Sequence, residues 1–293
     1  MTNDSSDRQH ITARIKDVGG IGVSRVLPVK NRRLIGAWCF LDHAGPALFQ
    51  HSDEGMHVGP HPHIGLQTFT WMLKGEVLHR DSLGYQQVIR PGQVNLMTAG
   101  RGIAHSEDTA SDQHQLHAAQ LWIALPDAVR HMPARFDHYP SLPQWQLEEM
   151  SFTLLVGEYA GYRAPTLHFS PLVGVDIQAR QAVTQTLKLQ SDFEYGIFVL
   201  QGEAEVDGQP LGVNELLYLG LGLTTLELTL KAGAQMLLLG GEPLNEPVVM
   251  WWNFVARDKT EIQQVIREWN AGGERFGSVA GDSRPPTPSP LMP

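Results

Sequence analysis

The sequence predicts an all-β protein made of two similar domains in tandem, with one short helix near its C-terminal end. Its 293 residues are about twice the length of a typical domain. They include 29 glycines and 19 prolines, a turn content typical of a chain with many short strands. Hydrophobic residues make up 42% of the chain and charged residues 18%, which is enough apolar material for a large core.

The predicted strands are short apolar or alternating runs between Ile15 and Ala256, separated by Gly, Pro, Asn and Asp. Regularly spaced runs of this kind are typical of a sandwich or a barrel. In chain order the predicted strands are Arg33 to Phe40, Leu66 to Leu73, Gly75 to Arg80, Gln93 to Thr98, Ala119 to Leu125, Thr153 to Gly157, Gly196 to Leu200, Glu215 to Leu219, Thr225 to Leu230 and Gln235 to Leu239.

One helix is predicted, from Asp258 to Asn270. Asp258 is suited to the N-cap position, and Glu261 follows three residues later as in a capping box. Apolar residues at helical spacing form one face, and Gly272 and Gly273 end the helix.

An internal repeat predicts that the two domains are copies of one another. The segment 71–78 (WMLKGEVL) and the turn region 90–100 are echoed by 198–205 (FVLQGEAE) and 212–222. Aligning the two Gly-Glu pairs places Lys188 and Gln190 at the positions of His61 and His63. The second copy therefore lacks the residues that suggest chemistry in the first, and we expect one active and one structural half.

The repeat suggests boundaries at 1–145 and 146–276, with the helix in the second domain, and a tail at 277–293. The tail contains the sequence RPPTPSP at 284–290. We expect so Pro-rich a segment to be disordered or to lie extended on the surface.

Charge and cysteine content exclude several classes of function. A net charge of −9 repels a phosphate backbone, so we expect no direct nucleic-acid binding. The one cysteine, Cys39, cannot form an internal disulfide, and the N-terminal sequence MTNDSSDRQH has no apolar segment that could act as a signal peptide. No apolar run is long enough to span a membrane. We therefore expect a cytoplasmic protein without membrane contact.

The histidines indicate where the chemistry lies, because all 13 fall between His10 and His168. Two motifs stand out among them, His61-Pro62-His63 and His105-Ser106-Glu107. On a strand, residues i and i+2 point to the same face, so each motif presents two potential metal ligands together. A sheet that joins the two strands would gather three imidazoles and one carboxylate. Nitrogen and oxygen donors without thiolate favour a divalent first-row metal over a structural zinc site.

The chain resembles the pirin family over most of its length. The run 59–107 (GPHPHIGLQTFTWMLKGEVLHRDSLGYQQVIRPGQVNLMTAGRGIAHSE) is similar to the first cupin domain of that family, with its HPH, GE-x-x-H-x-DS-x-G, PG, M-x-AG-x-G-I and HSE motifs in the same order. The similarity continues in 41–46 (LDHAGP), 120–126 (QLWIALP), 240–250 (GGEPLNEPVVM) and 253–256 (NFVA).

This resemblance implies a bicupin: two tandem cupin domains, each a jelly-roll-like β-barrel, with one metal in the N-terminal domain. Carried over position by position, the metal ligands would be His61, His63, His105 and Glu107. Iron(II) is the expected metal, but the ligand types alone also allow Mn, Ni, Co, Cu or Zn.

The resemblance also implies two functions. The first is a metal-dependent dioxygenase of the quercetin 2,3-dioxygenase type, which opens a flavonol-like phenolic substrate with O2. In this reading Glu107 is the catalytic base that removes the hydroxyl proton. The alternative is a non-catalytic, iron-dependent and redox-sensitive regulator that acts through a protein partner, as a transcription cofactor or an enzyme modulator.

Several residues leave the choice of substrate open. Ile64 and Gln67 stand where the family commonly has a basic and an acidic residue, so Glu107 is the only carboxylate in the ligand set.

The roles of three other residues are less specific. His43 could line the pocket or hydrogen-bond backbone groups of its own turn. For His79 we expect a solvated position in a hairpin, and for Cys39 an inert buried thiol.

Overall fold

The structure is a computed structural model of the chain, and it describes residues 8–110 and 113–293. Residues 1–7, where the sequence predicts no signal segment, lie outside this description. Strands dominate both halves of the chain. In the first half they are β1 (Gln9–Thr12), β2 (Arg14–Val18), β3 (Ile21–Leu27), β4 (Trp38–Leu48), β5 (His57–His63), β6 (Leu66–Lys74), β7 (Val77–Asp81), β8 (Gln86–Ile89), β9 (Val94–Thr98), β10 (Ile103–Thr109), β11 (Gln115–Ala124) and β12 (Arg135–Tyr139).

The second half continues with strands and contains the helix. Its elements are β13 (Gln144–Leu147), β14 (Met150–Val156), β15 (Glu158–Tyr159), β16 (Tyr162–Arg163), β17 (Leu172–Ala179), β18 (Val183–Lys188), β19 (Glu194–Gln201), β20 (Ala204–Val206), β21 (Gln209–Leu211), β22 (Glu215–Gly220), β23 (Thr225–Leu230), β24 (Gln235–Gly241), β25 (Val249–Trp251), β26 (Phe254–Ala256) and α1 (Lys259–Asn270). Short 3-10 helices occupy Ser52–Glu54 and Glu274–Phe276.

The predicted strands are found close to their expected positions, with one clear exception. The strand expected from Arg33 to Phe40 begins only at Trp38, because the chain turns at Gly36, whose φ is +54°. A Cβ at that position would also approach the backbone of Gly241 to 2.7 Å, so the turn requires glycine.

The sheets repeat one topology twice. A seven-stranded sheet in the order β12-β9-β6-β11-β4-β3-β2 occurs with a four-stranded sheet in the order β5-β10-β7-β8. The second pair has the orders β1-β22-β19-β24-β17-β14-β13 and β18-β23-β20-β21. Strands β4 to β11 and β17 to β24 take the same places in the two pairs, which confirms the two tandem cupin barrels expected from the repeat.

By compactness the chain divides into two units, each drawn from three segments. Of the described residues, the first unit comprises those in 8–15, 24–43 and 141–244, and the second those in 16–23, 44–140 and 245–293. This grouping places the helix in the unit that carries the histidine motifs. The linear division at 1–145, 146–276 and 277–293 stays a proposal that follows the order of the repeats along the sequence.

Helix α1 forms as its sequence predicts. The Asp258 side chain is the N-cap and accepts a hydrogen bond from the backbone N–H of Glu261. The buried face of the helix packs against Ile64, Ala104 and Phe254 in one apolar cluster. Ile64 follows β5 directly and Ala104 lies on β10, so the helix supports the outer face of the strands that carry the two motifs.

The C-terminal tail packs against this unit. The Thr287 backbone N–H donates to the Pro60 carbonyl at 2.8 Å, and the Trp269 indole N–H donates to the Thr287 carbonyl at 2.8 Å. Arg284 binds both carboxylate oxygens of Asp108 at 2.8 and 2.9 Å. These contacts join the tail to β5, β10 and α1.

Within the described ranges, none of the helices has the length and apolar character needed to cross a membrane.

Candidate metal centre

Strand pairing brings both histidine motifs to one face of the four-stranded sheet. β10 lies between β5 and β7, and His105 sits opposite His61 on one side and Asp81 on the other. Glu107 sits opposite His79 on β7. Since side chains of directly paired residues share a face, this register collects the predicted ligands on one side of the sheet.

Three of the predicted ligands meet at one point. The potential ligand atoms of His61, His63 and His105 all lie within 4.8 Å of one another, and all three residues are buried. The Nε2 atoms of His63 and His105 are 3.1 Å apart. Neighbouring nitrogen ligands on a first-row metal, with bonds of about 2.1 Å, lie about 3 Å apart, so this spacing suits a metal ion.

Hydrogen bonds hold two of these imidazoles in the tautomer that a metal requires. His61 Nδ1 lies 2.9 Å from the Gly59 carbonyl oxygen, and His63 Nδ1 lies 3.1 Å from that of Asn253. Because a carbonyl can only accept, each Nδ1 carries the proton and each Nε2 keeps its lone pair. A metal-ligating histidine commonly donates its other N–H to a carbonyl in this way.

Burial keeps the three imidazoles neutral. It lowers the pKa of His61 to about 4, against the hydrogen bond to Gly59, which raises this pKa, and together with His79, which lowers it. Burial and the neighbouring histidines hold the pKa values of His63 and His105 well below the ordinary value. Neutral imidazoles are the form that binds a metal, so near pH 7 the site loses no affinity to protonation of these groups.

Glu107 belongs to a second group of potential ligands. Its carboxylate lies within 4.8 Å of ligand atoms of His105 and His79, so His105 is shared by both groups. Glu107 is half-buried, and burial of its carboxyl group raises its pKa. The predicted fourth ligand thus lies beside the three-histidine cluster.

His79 differs from its expected solvated position, because it is only 3% exposed. Its Nε2 lies 3.0 Å from an Asp81 carboxylate oxygen, and its Nδ1 lies 3.3 Å from His105 Nδ1. The spacing could have revealed this, since His79 and Asp81 are two residues apart on a strand, as in the two motifs that were recognised.

Aromatic rings and apolar residues surround the histidines. Trp122 meets the His63 ring edge-on at 5.2 Å, and Phe136 stacks on His79 at 4.4 Å. Gln67, at the position of the family's acidic residue, is fully buried and donates to the Thr98 hydroxyl at 3.0 Å. The Gln67 side chain therefore lies in the interior of the barrel.

Two further residues are buried. His43 is fully buried, and its Nδ1 lies 2.6 Å from the side-chain oxygen of Asn214, so this nitrogen is bound to a side chain 171 residues away in the sequence and both residues lie in the first unit. Cys39 is a buried thiol with no exposed surface, as expected.

The second barrel has an apolar interior where the first has histidines. Leu187 on β18 sits opposite Leu226 on β23, and both belong to the apolar core of that barrel. Lys188 and Gln190, which align with the first motif, are exposed. Among the described residues, the groups able to hold a metal all lie in the first barrel.

In the part of the chain that the structure describes, two cupin barrels with one histidine cluster define a bicupin with a single candidate metal centre. Residues 20–123 match the family Pirin, and residues 174–277 match the Pirin C-terminal cupin domain. The chain belongs to the pirin family.

Individual relatives agree with this assignment. A Pseudomonas aeruginosa protein named "Putative quercetin 2,3-dioxygenase" is 54% identical, over 97% of this chain and 90% of that protein. A Caulobacter vibrioides "Pirin-like protein" is 38% identical, over 89% of this chain and 92% of that protein. A crystal structure of quercetin 2,3-dioxygenase from Acinetobacter baumannii aligns with a TM-score of 0.95 at 46% identity, covering 98% of this chain and 96% of that one.

Proposed function

We propose that this protein is a metal-dependent dioxygenase of the quercetin 2,3-dioxygenase type, acting on a flavonol-like phenol with O2. The observation that carries the proposal is the convergence of three buried, neutral imidazoles, whose potential ligand atoms lie within 4.8 Å of one another, with the Nε2 atoms of His63 and His105 at 3.1 Å. The names of two close relatives support the choice of reaction. We place the enzyme in the cytoplasm, where a single cysteine without a disulfide partner in the sequence is usual.

The proposed ligands are His61, His63, His105 and Glu107, and iron(II) is the proposed metal. The three imidazoles supply neutral donors, and the carboxylate offsets part of the ion's charge. A bound divalent metal would supply Lewis-acid polarisation of a phenolic oxygen and the redox chemistry with O2. The same ligand set accepts Mn, Ni, Co, Cu or Zn, so metal analysis is part of the test.

Glu107 is the proposed catalytic base. Burial raises the pKa of its carboxyl group, which makes it a stronger base than an exposed glutamate. It would accept the proton of the substrate hydroxyl and hold it on a carboxylate oxygen. Trp122 and Phe136 cover the imidazoles beside it with apolar ring surface, which keeps water away from them.

The proposal is tested with protein loaded anaerobically with iron(II), whose metal content is measured before quercetin and then O2 are added. We expect loss of quercetin absorbance with wild-type protein and none with His63→Ala, which loses the metal. Glu107→Gln should retain part of its metal and lose most of its turnover. His168→Ala is the matched control, since His168 lies in the metal-free barrel and its Nδ1 bonds the Thr166 carbonyl.

Fully loaded wild-type protein that leaves quercetin unchanged would contradict the dioxygenase proposal and favour the regulatory alternative. That alternative predicts a protein partner whose binding differs between the Fe(II) and Fe(III) forms and is lost in His61→Ala.

A further inference from the structure

A chain of three buried side chains runs from the candidate metal centre into the sheet. It starts at His105, passes through His79 and ends at Asp81, all three at most 3% exposed. The two contacts that link them are 3.3 Å between the Nδ1 atoms of the histidines and 3.0 Å between His79 Nε2 and the Asp81 carboxylate. The proposed set of ligands and the family resemblance assign no role to His79 or Asp81.

The protons of this chain can be placed from its fixed end. A carboxylate only accepts hydrogen bonds, so His79 Nε2 carries a proton and donates it to Asp81. In a neutral His79 ring the Nδ1 then has a lone pair and accepts from His105 Nδ1–H. The Nε2 of His105 is left with a lone pair, directed at the point where it lies 3.1 Å from His63 Nε2.

We propose that Asp81 and His79 are positioning residues that hold His105 in its metal-binding tautomer. Backbone carbonyls fix the tautomer of the other two imidazoles: the Gly59 carbonyl accepts from His61, and the Asn253 carbonyl accepts from His63. In place of a carbonyl, His105 has the His79–Asp81 pair. The inference rests on the metal site proposed above.

Further contacts hold the Asp81 and His79 side chains in position. One oxygen of Asp81 accepts the backbone N–H groups of Leu83 and Tyr85 at 2.9 and 3.1 Å, and the other faces His79. Phe136 stacks on the His79 ring at 4.4 Å with an interplanar angle of 14°, which fixes the plane of the imidazole. Neither side chain can turn without breaking these contacts.

Asp81→Asn should reverse the donor-to-acceptor direction of the hydrogen bonds that link His105, His79 and residue 81. The amide oxygen of the new side chain can keep both backbone N–H groups, so its NH2 group must face His79. His79 Nε2 then becomes an acceptor, its Nδ1 a donor, and His105 Nδ1 an acceptor. The proton of His105 moves to Nε2, where it blocks the metal. We expect a loss of metal affinity of about 10- to 100-fold, the range for partners behind a ligand.

Two readouts test the proposal. The first is NMR of metal-free protein carrying 15N-labelled histidine, which distinguishes an Nδ1–H from an Nε2–H imidazole. We expect His105 as Nδ1–H in the wild type and as Nε2–H in Asp81→Asn. The second is Co(II) titration followed by visible absorption. Here His79→Gln, whose amide oxygen can accept from His105, should bind within about threefold of wild type, while His79→Leu should lose about 10- to 100-fold.

Asp137→Asn is the matched control, since this carboxylate adjoins Phe136 but pairs with Arg135 and makes no contact with His79 or Asp81 among its hydrogen bonds. The proposal is overturned if Asp81→Asn keeps the wild-type His105 tautomer or the wild-type Co(II) affinity, or if His79→Gln loses as much as His79→Leu. Failure of the metal site itself looks different: the wild type then binds no stoichiometric Co(II), while the NMR readout, made without metal, still decides the tautomer.

Discussion

Acidification should destabilise the metal-free protein through His61. This residue is 8% exposed, and burial lowers the pKa of its imidazole from 6.5 to about 4. The unfolded chain, where the pKa is ordinary, takes up a proton as the pH falls through 6.5, while the folded protein does not until about pH 4. The unfolded state therefore binds more protons in this window, and stability is lost as the pH falls from 7 toward 4.

The magnitude follows from the difference between the two pKa values. Each pKa unit corresponds to about 1.4 kcal/mol, so the full difference is about 3 kcal/mol. Between pH 7 and pH 5 the linkage relation gives about 2 kcal/mol for His61 alone. His63 and His105, whose pKa values are lowered in the same direction, add to the loss.

The assay is urea unfolding at pH 7 and pH 5 in the presence of a chelator. His61→Gln removes the titrating group and keeps a polar side chain, so its loss of stability between the two pH values should be about 2 kcal/mol smaller than that of wild type. His131→Gln, at an imidazole that is 54% exposed, should follow wild type. If wild type and His61→Gln lose stability in parallel, the buried-neutral description of His61 is wrong.

Three further predictions concern packing and reactivity. In Gly65→Ala the new Cβ would lie 2.1 Å from a backbone carbonyl oxygen of β26 at a φ of +68°, so urea unfolding should show a loss of about 3 kcal/mol or more. Gly84→Ala, with a φ of +93° and nothing within 4 Å, should lose only about 1 kcal/mol, and equal losses would contradict the steric argument. Arg284→Ala breaks both hydrogen bonds to Asp108 from a side chain that is 36% exposed. We expect the free energy of unfolding to fall by about 1 kcal/mol, and by less in 1 M salt. Arg284→Lys should recover only part of this loss. Cys39 should not react with Ellman's reagent in native buffer and should give one equivalent of thiol in urea; a rapid native reaction would show that it is accessible.

Much of the fold follows from short-range patterns. Alternating apolar residues predict most of the strands, because one face of each strand must be buried. The cap at Asp258 and the apolar spacing predict the helix to within one residue. The strand expected from Arg33 was wrong at its start, because a turn at Gly36 is decided by its close approach to Gly241, far away in sequence.

The partners of the site could not be predicted from local spacing. The carbonyl that orients His63 belongs to Asn253, 190 residues away. Lys188 aligns with His61, yet the inward position in the second barrel belongs to the adjacent Leu187, because a shift of one residue moves a side chain to the opposite face of a strand.

By itself the sequence determined the all-β class, the duplication and the two motifs, because each depends on residue types at short, regular spacings. Only the tertiary structure decided that β10 lies between β5 and β7, and so which groups stand on each side of His105. Strand order and register depend on how apolar faces of distant segments are buried together. That is why the ligands could be expected from their motifs, whereas the contact of the His79–Asp81 pair with His105 was decided only in the folded sheet.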